Sequence, residues 1–117
     1  MAPSLLSTCC GKVESILGSN SARILNEYLN EPHHILNINS VNSLTYFLTY
    51  VDDSLNQPSL FINHNGNLLL NWVDKNNKDI EIEFEDSNLI VYCESDKSDY
   101  SIPLTKKSIK TFLTYHK

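Results

Sequence analysis

The chain has little of what several function classes require. A single arginine stands beside eight lysines, and 14 acidic residues against 9 basic ones leave a net charge of −5. A protein that grips a phosphate backbone needs a basic face, so direct nucleic-acid binding is not expected. No apolar run approaches the ~20 residues of a membrane helix, and no membrane partner is expected. Three cysteines, Cys9, Cys10 and Cys93, make a poor disulfide framework, being odd in number with two adjacent. Free thiols in a reducing, cytoplasmic compartment are the simplest reading. The stretch from Met1 to Cys10 lacks the basic start and long apolar segment of a secretory signal. Glycine-rich phosphate loops, an activated-serine elbow and interleaved basic and aromatic residues are all missing.

What remains is a chain of 117 residues, 41% hydrophobic and 20% charged, the size and balance of one folded domain spanning 1–117. Asparagine occurs 14 times and isoleucine 10 times. That bias suits an AT-rich genome and suggests a bacterial, phage or mobile-element source, hence the cytoplasm of a bacterial or phage-infected cell. The charge is uneven. Residues 51–104 carry eleven acids and three lysines, whereas 105–117 carry four lysines and no acid. An acidic middle and a basic tail need separate explanations.

Hydrophobic spacing divides the chain into a helical part (1–57), a β part (58–104) and a closing helix (105–117). Ser4 is a candidate cap for a first helix carrying Leu5, Leu6, Cys9, Cys10, Val13, Ile16 and Leu17, ended by Gly18. Ser19, Asn20 or Ser21 starts a second, with Ile24, Leu25, Tyr28 and Leu29 inward and Pro32 as its stop. Asn39 or Ser40 starts a third, with Val41, Leu44, Phe47, Leu48, Val51 and Leu55 on one side and Pro58 at its end. The β-branched and aromatic residues from Tyr46 to Val51 leave a strand as the competing reading there.

After Pro58 the period changes to 2. Strands are expected over Ser59–Asn63, Asn67–Val73, Asp79–Glu85, Asn88–Glu94 and Tyr100–Pro103. Asn65-Gly66 is the strongest hairpin signal, since a type I′ turn needs positive φ at both positions. Further turns fall at Asp74–Lys78, Asp86-Ser87 and Ser95–Ser98. Closing a hairpin around Asn76 pairs Trp72 with Ile80, Leu70 with Ile82 and Leu68 with Phe84. A turn at Asp86-Ser87 pairs Phe84 with Leu89, Ile82 with Val91 and Ile80 with Cys93. The last connection pairs Cys93 with Tyr100 and Val91 with Ile102. One face is then apolar across four strands, and a one-residue slip would bury the acids. Thr105 caps a last helix with Ile109, Phe112 and Leu113 on one side and Lys106, Lys107 and Lys110 on the other.

The same register assigns the opposite face. It carries Leu69, Asn71 and Val73, then Asp79, Glu81, Glu83 and Glu85, then Ile90, Tyr92 and Glu94. Glu83 falls between Leu69 and Ile90, and Glu81 between Asn71 and Tyr92. Carboxylates two apart on a strand lie about 7 Å from each other and repel mildly. This column is either a solvated polar face or a docking face for a basic partner. For the docking reading the contact residues are Leu69, Asp79, Glu81, Glu83, Glu85, Ile90 and Tyr92.

Other groupings favour plain structural readings. His33-His34 follow a proline in a connection, and neighbours in sequence do not share a face; a metal site would need Asp52, Asp53 or His64. Asp74, Asn76 and Glu85 share spacings with a calcium-binding loop, but Lys78 takes a ligand position and Asp79 the required glycine. Cys9-Cys10 lie on an apolar stripe as small buried residues rather than a reactive or lipidated pair. Cys93 points into the core, too far inside to serve as a nucleophile. The segment from Ile62 to Asn67 has the letters of a nuclease motif, yet the Asn-Gly turn explains it. No metal, cofactor or catalytic residue is expected, and the chain is not read as an enzyme.

From Pro58 onward, Leu60, Ile62, Gly66, Leu68, Leu70, Trp72, Ile80, Glu81, Ile82, Glu83 and Phe84 follow a recognisable order. It resembles a class of small uncharacterised bacterial proteins with leading helices followed by a proline, glycine and tryptophan-marked β-meander. The resemblance covers about half the chain. It implies a fold and compatibility with accessory proteins of mobile or paired-gene modules.

The expected architecture is α+β: N-terminal helices on one face of a four- to five-stranded antiparallel meander, with a short C-terminal helix. The expected function is that of a small acidic protein that binds and inhibits or neutralises a basic or nucleic-acid-binding protein. An antitoxin, an immunity protein or a phage-encoded inhibitor of a nucleic-acid-directed defence complex, such as an anti-CRISPR, fits that description. The alternative is a self-associating structural or regulatory subunit, a homodimer joined through Leu69, Ile90 and Tyr92.

Overall fold

The structure, a computed structural model, describes residues 5–30, 36–51, 55–93 and 98–117. Ser4 as a cap, Pro32 as a stop, His33-His34, Asp52-Asp53, Glu94 and most of the turn at Ser95–Ser98 lie outside them. Among the described residues four helices and five strands follow in the order α1 (Leu5–Leu17), α2 (Ser19–Asn30), α3 (Ile38–Thr49), β1 (Ser59–Ile62), β2 (Leu68–Val73), β3 (Asp79–Phe84), β4 (Asn88–Cys93), β5 (Ser98–Pro103) and α4 (Lys106–His116). The strands form one antiparallel sheet in sequence order, a meander of an α+β fold.

Local chemistry accounts for most of the boundaries. α1 stops because Gly18 takes φ +102°, a left-handed conformation cheap only for glycine, and its N–H closes onto the carbonyls of Val13 and Glu14. Thr105 caps α4, its hydroxyl accepting the Ser108 N–H. α3 differs from expectation at both ends. Its cap is Asn37, whose side chain accepts the Asn39 N–H, rather than Asn39 or Ser40. It ends at Thr49, well before Pro58, although Val51 and Leu55 are still buried. Propensity around Tyr46 to Val51 permits a strand, but the stripe of Val41, Leu44, Phe47 and Leu48 needs helical spacing to reach the core.

The registers across β2, β3 and β4 are as the period-2 pattern requires, with Leu70 opposite Ile82, Trp72 opposite Ile80, Phe84 opposite Leu89, Ile82 opposite Val91 and Ile80 opposite Cys93. The last pair is shifted. β5 begins at Ser98 rather than Tyr100, and Cys93 faces Ser98, Val91 faces Tyr100 and Leu89 faces Ile102. The shift is two residues, so every side chain keeps its face, and hydrophobic patterning alone cannot tell the two registers apart.

The Asn65-Gly66 turn also differs. Gly66 has φ +82°, but Asn65 is not among the residues with positive φ. The Gly66 N–H reaches the Asn63 carbonyl and the Asn63 N–H reaches the Asn67 carbonyl. His64, Asn65 and Gly66 thus form a three-residue loop, the other common hairpin closure, with one left-handed residue at its end. The Asp74–Lys78 turn repeats this design, with Asn77 at φ +63° in the place of Gly66. In both, the first side chain organises the loop. Asn63 Oδ1 accepts the N–H groups of Asn65 and Asn67, and Asp74 Oδ1 those of Asn76 and Lys78. Asp74 is accordingly buried, its carboxylate occupied by backbone donors rather than a cation.

All helices lie on the face that carries Leu68, Leu70, Trp72, Ile80, Ile82, Phe84, Leu89, Val91 and Cys93, every one of them buried. Trp72 is fully buried beside Phe47 of α3 and edge-on to Phe112 of α4. Its indole N–H donates to the His116 carbonyl at 2.7 Å, and the Lys75 N–H donates to the Lys117 carbonyl. The end of α4 is thereby tied to the β2–β3 hairpin. α2 is less inward than expected, with Leu25 and Ser21 buried while Ile24, Tyr28 and Leu29 are half-buried. No helix among the described residues is long and apolar enough to cross a membrane.

Candidate interaction face on the open side of the sheet

With the helices gathered on one side, the outer face of the sheet has no covering element among the described residues. Strand register arranges it in rows. One row runs Phe61, Leu69, Glu83, Ile90, Ser101 from β1 to β5. The next runs Ser59, Asn71, Glu81, Tyr92, Asp99. Val73 and Asp79 begin a third. Glu83 is thus flanked by Leu69 and Ile90, and Glu81 by Asn71 and Tyr92.

Exposure sorts these residues. Asp79 and Tyr92 are exposed, while Leu69, Asn71, Val73, Glu81, Glu83, Glu85 and Ile90 are half-buried. Neither Glu81 nor Glu83 is fully exposed. The reason for Glu83 is specific: its Oε2 accepts the side-chain amides of Asn63 and Asn67, both at 2.9 Å. Asn67 in turn accepts from Asn37 Nδ2, so the α3 cap, the β1–β2 loop and the outer face form one hydrogen-bonded chain. Asn71 donates to the Ile80 carbonyl and is similarly occupied.

Tyr92 is the aromatic centre of the face. Burial pushes its phenol above the ordinary value, and the surrounding Glu83, Asp99 and Glu81 carboxylates push the same way, with a hydrogen bond to Glu83. The hydroxyl therefore remains a donor amid acceptors. Phe61, 44% exposed on β1, belongs to this surface and was not among the expected contact residues. The alternation of Leu60 inward and Phe61 outward is legible in β1, but only the pairing with Leu69 places Phe61 in the row that continues to Glu83. Together Phe61, Leu69, Ile90 and Tyr92 supply anchors on either side of the Glu81 and Glu83 column.

The remaining candidates are located as follows. Cys9 and Cys93 are buried and Cys10 half-buried. Burial raises the Cys9 thiol, a Thr45 hydrogen bond opposing it, and burial raises Cys10 as well. Neither has the depressed pKa of a reactive thiolate. Among the described residues no three His, Cys, Asp or Glu side chains gather in metal-binding range. No protein-family model matches the chain, and neither a curated protein nor a solved structure does.

Proposed function

We propose that this protein is a small non-enzymatic binder whose open sheet face docks a basic macromolecular partner and thereby neutralises or inhibits it. The observation that carries the reading is the outer row of Phe61, Leu69, Glu83 and Ile90 beside the row of Glu81, Tyr92 and Asp99. A solvated sheet face has no need of half-buried aliphatic and exposed aromatic side chains beside its acids, whereas an interface has need of both. Apolar anchors hold the partner, and the acidic frame draws in a surface built for nucleic acid. An antitoxin, an immunity protein or an inhibitor of a nucleic-acid-directed defence complex would work by occupying such a surface.

The test is capture of a basic protein by the tagged chain from a native or suspected target host, in parallel with Glu81→Lys and Tyr92→Ala variants. The reading expects a partner that both variants lose and that salt releases. A partner that both retain, held by α1, α2 or the lysines of α4, would refute it.

A further inference from the structure

The two edges of the sheet are treated differently. α2 packs against β1, whereas among the described residues β5 runs closely beside β4 and meets α4 only across a groove on its inner face. The direction of its backbone groups follows from two bonds. The Leu104 N–H donates to the Ser87 carbonyl, so residue 104 faces β4, and so do Ile102 and Tyr100, because the direction alternates along a strand. The Asn88 carbonyl accepts from the Glu85 N–H and so faces β3, which turns Leu89 and Val91 toward β5. These are the residues opposite Ile102 and Tyr100. The assignments from the two sides agree, and they leave Asp99, Ser101 and Pro103 directed out of the sheet.

Pro103 offers that edge nothing, since it has no N–H and its carbonyl accepts the Thr105 N–H. The outward N–H and C=O groups of Asp99 and Ser101 have no partner among the described residues. Exposed edges are ordinarily blunted by lysine, proline or a bulge. Here the proline stands at the end of the strand, and from Asp99 to Ile102 there is neither lysine nor proline.

The open segment is self-complementary. We propose that two copies of the chain join β5 to β5 across a two-fold axis through Tyr100, continuing one sheet through both. In this register Asp99 of each copy faces Ser101 of the other as a hydrogen-bonded pair, exchanging both N–H···O bonds. All outward groups of the two residues are used, and Pro103 lies beyond the paired segment. Charge agrees as well: each Asp99 meets a serine, so no two carboxylates are directly opposed. A register centred on Ser101 fails, because it sets Asp99 against Pro103, which lacks an N–H and has an occupied carbonyl.

Tyr100, 38% exposed, then meets its counterpart at the non-hydrogen-bonded position, where side chains approach most closely. It borders an open groove of about 330 Å³ between β5 and α4, lined also by Ile102, Phe112 and the exposed Tyr115. Pairing places the two grooves side by side at the axis and covers their aromatic mouths. The outer faces become one continuous surface with a docking site at each side of the dyad. The dimer therefore does not compete with the proposed partner and does not depend on it.

Sedimentation equilibrium of the full chain, from about 10 μM to about 1 mM, tests this directly. The expected result is a monomer–dimer equilibrium that Ser101→Pro weakens about tenfold or more, since it removes one N–H from each hydrogen-bonded pair. Ser101→Ala, which keeps the N–H, should leave it unchanged. Should Ser101→Pro fail to fold, amide exchange on the unaltered chain decides: the Asp99 and Ser101 amides gain protection as concentration rises. A chain that stays monomeric at the highest concentration overturns the proposal. So does a dimer that leaves both amides unprotected, or one broken by Ile90→Glu but not by Ser101→Pro.

Discussion

Asn63 and Asn67 donate their side-chain amides to the same oxygen of Glu83, each at 2.9 Å. A carboxylate in the middle of the interaction face is therefore also the tether of the β1–β2 loop. Its two roles separate on substitution. Glu83→Ala strands two amide donors and should cost about 1–3 kcal/mol. Glu81→Lys, with no such tether, should change stability by no more than about 0.5 kcal/mol. Urea denaturation of the two variants checks the contrast, and equal losses would show that Glu83 is not tethered.

Binding kinetics should divide the outer face by chemistry. Glu81→Lys should slow association with the captured partner and weaken its salt dependence, because reversing a charge of the acidic face weakens the attraction that steers encounter. Tyr92→Ala should instead speed dissociation, as removal of an aromatic anchor does. Surface plasmon resonance at two salt concentrations distinguishes the two effects. Unaltered constants for both variants would remove this face from the interface.

Trp72 joins β2 to α3 and α4. Trp72→Ala should cost roughly 3–5 kcal/mol through the cavity it leaves among Phe47, Ile80 and Phe112. Trp72→Phe keeps much of the packing and loses the bond to the His116 carbonyl, with a further penalty of about 1 kcal/mol for the orphaned acceptor. A thermal midpoint unmoved by the alanine change would contradict the burial of this ring.

The two three-residue loops respond to substitution according to φ. Gly66→Val forces a β-branched residue to φ +82° and should destabilise by about 1–2 kcal/mol without touching the interaction face. Asn77→Gly, at φ +63°, should be neutral or slightly stabilising. Chemical denaturation of both variants measures this, and a loss on Asn77→Gly equal to that on Gly66→Val would refute it.

Burial raises the thiols of Cys9 and Cys10 above the ordinary 9.0 and the Tyr92 phenol above 10.0. The folded chain thus holds these protons more tightly than the unfolded one. Stability is fully present below pH 9.0 and declines as pH rises past it, where the unfolded thiols ionise first. The urea midpoint should fall as pH rises above 9.0, less steeply in Cys9→Ala. Identical slopes for the two proteins would exclude Cys9 as a source.

Sequence alone determined the order of elements and the two faces of the sheet. Strand alternation has a period of 2, so placing Trp72, Ile82 and Val91 inside necessarily placed Glu81, Glu83 and Tyr92 outside. Register across β2, β3 and β4 followed because a slip would bury acids. The β5 register did not, since a shift of two residues conserves every face. The same locality explains the misplaced α3 cap: Asn37, Ser40 and Ser43 all have cap-like or surface chemistry until the sheet is present. Folding gives Ser40 the Leu68 N–H, Ser43 the Glu85 carbonyl and Asn37 the Gly66 carbonyl. Only tertiary structure decided these pairings, the capture of Glu83 by two asparagines, the position of Phe61 next to Leu69 and the bond from Trp72 to His116. Hydrophobic periodicity specifies which way a side chain points; a hydrogen bond between distant segments depends on where the packed elements bring its two ends.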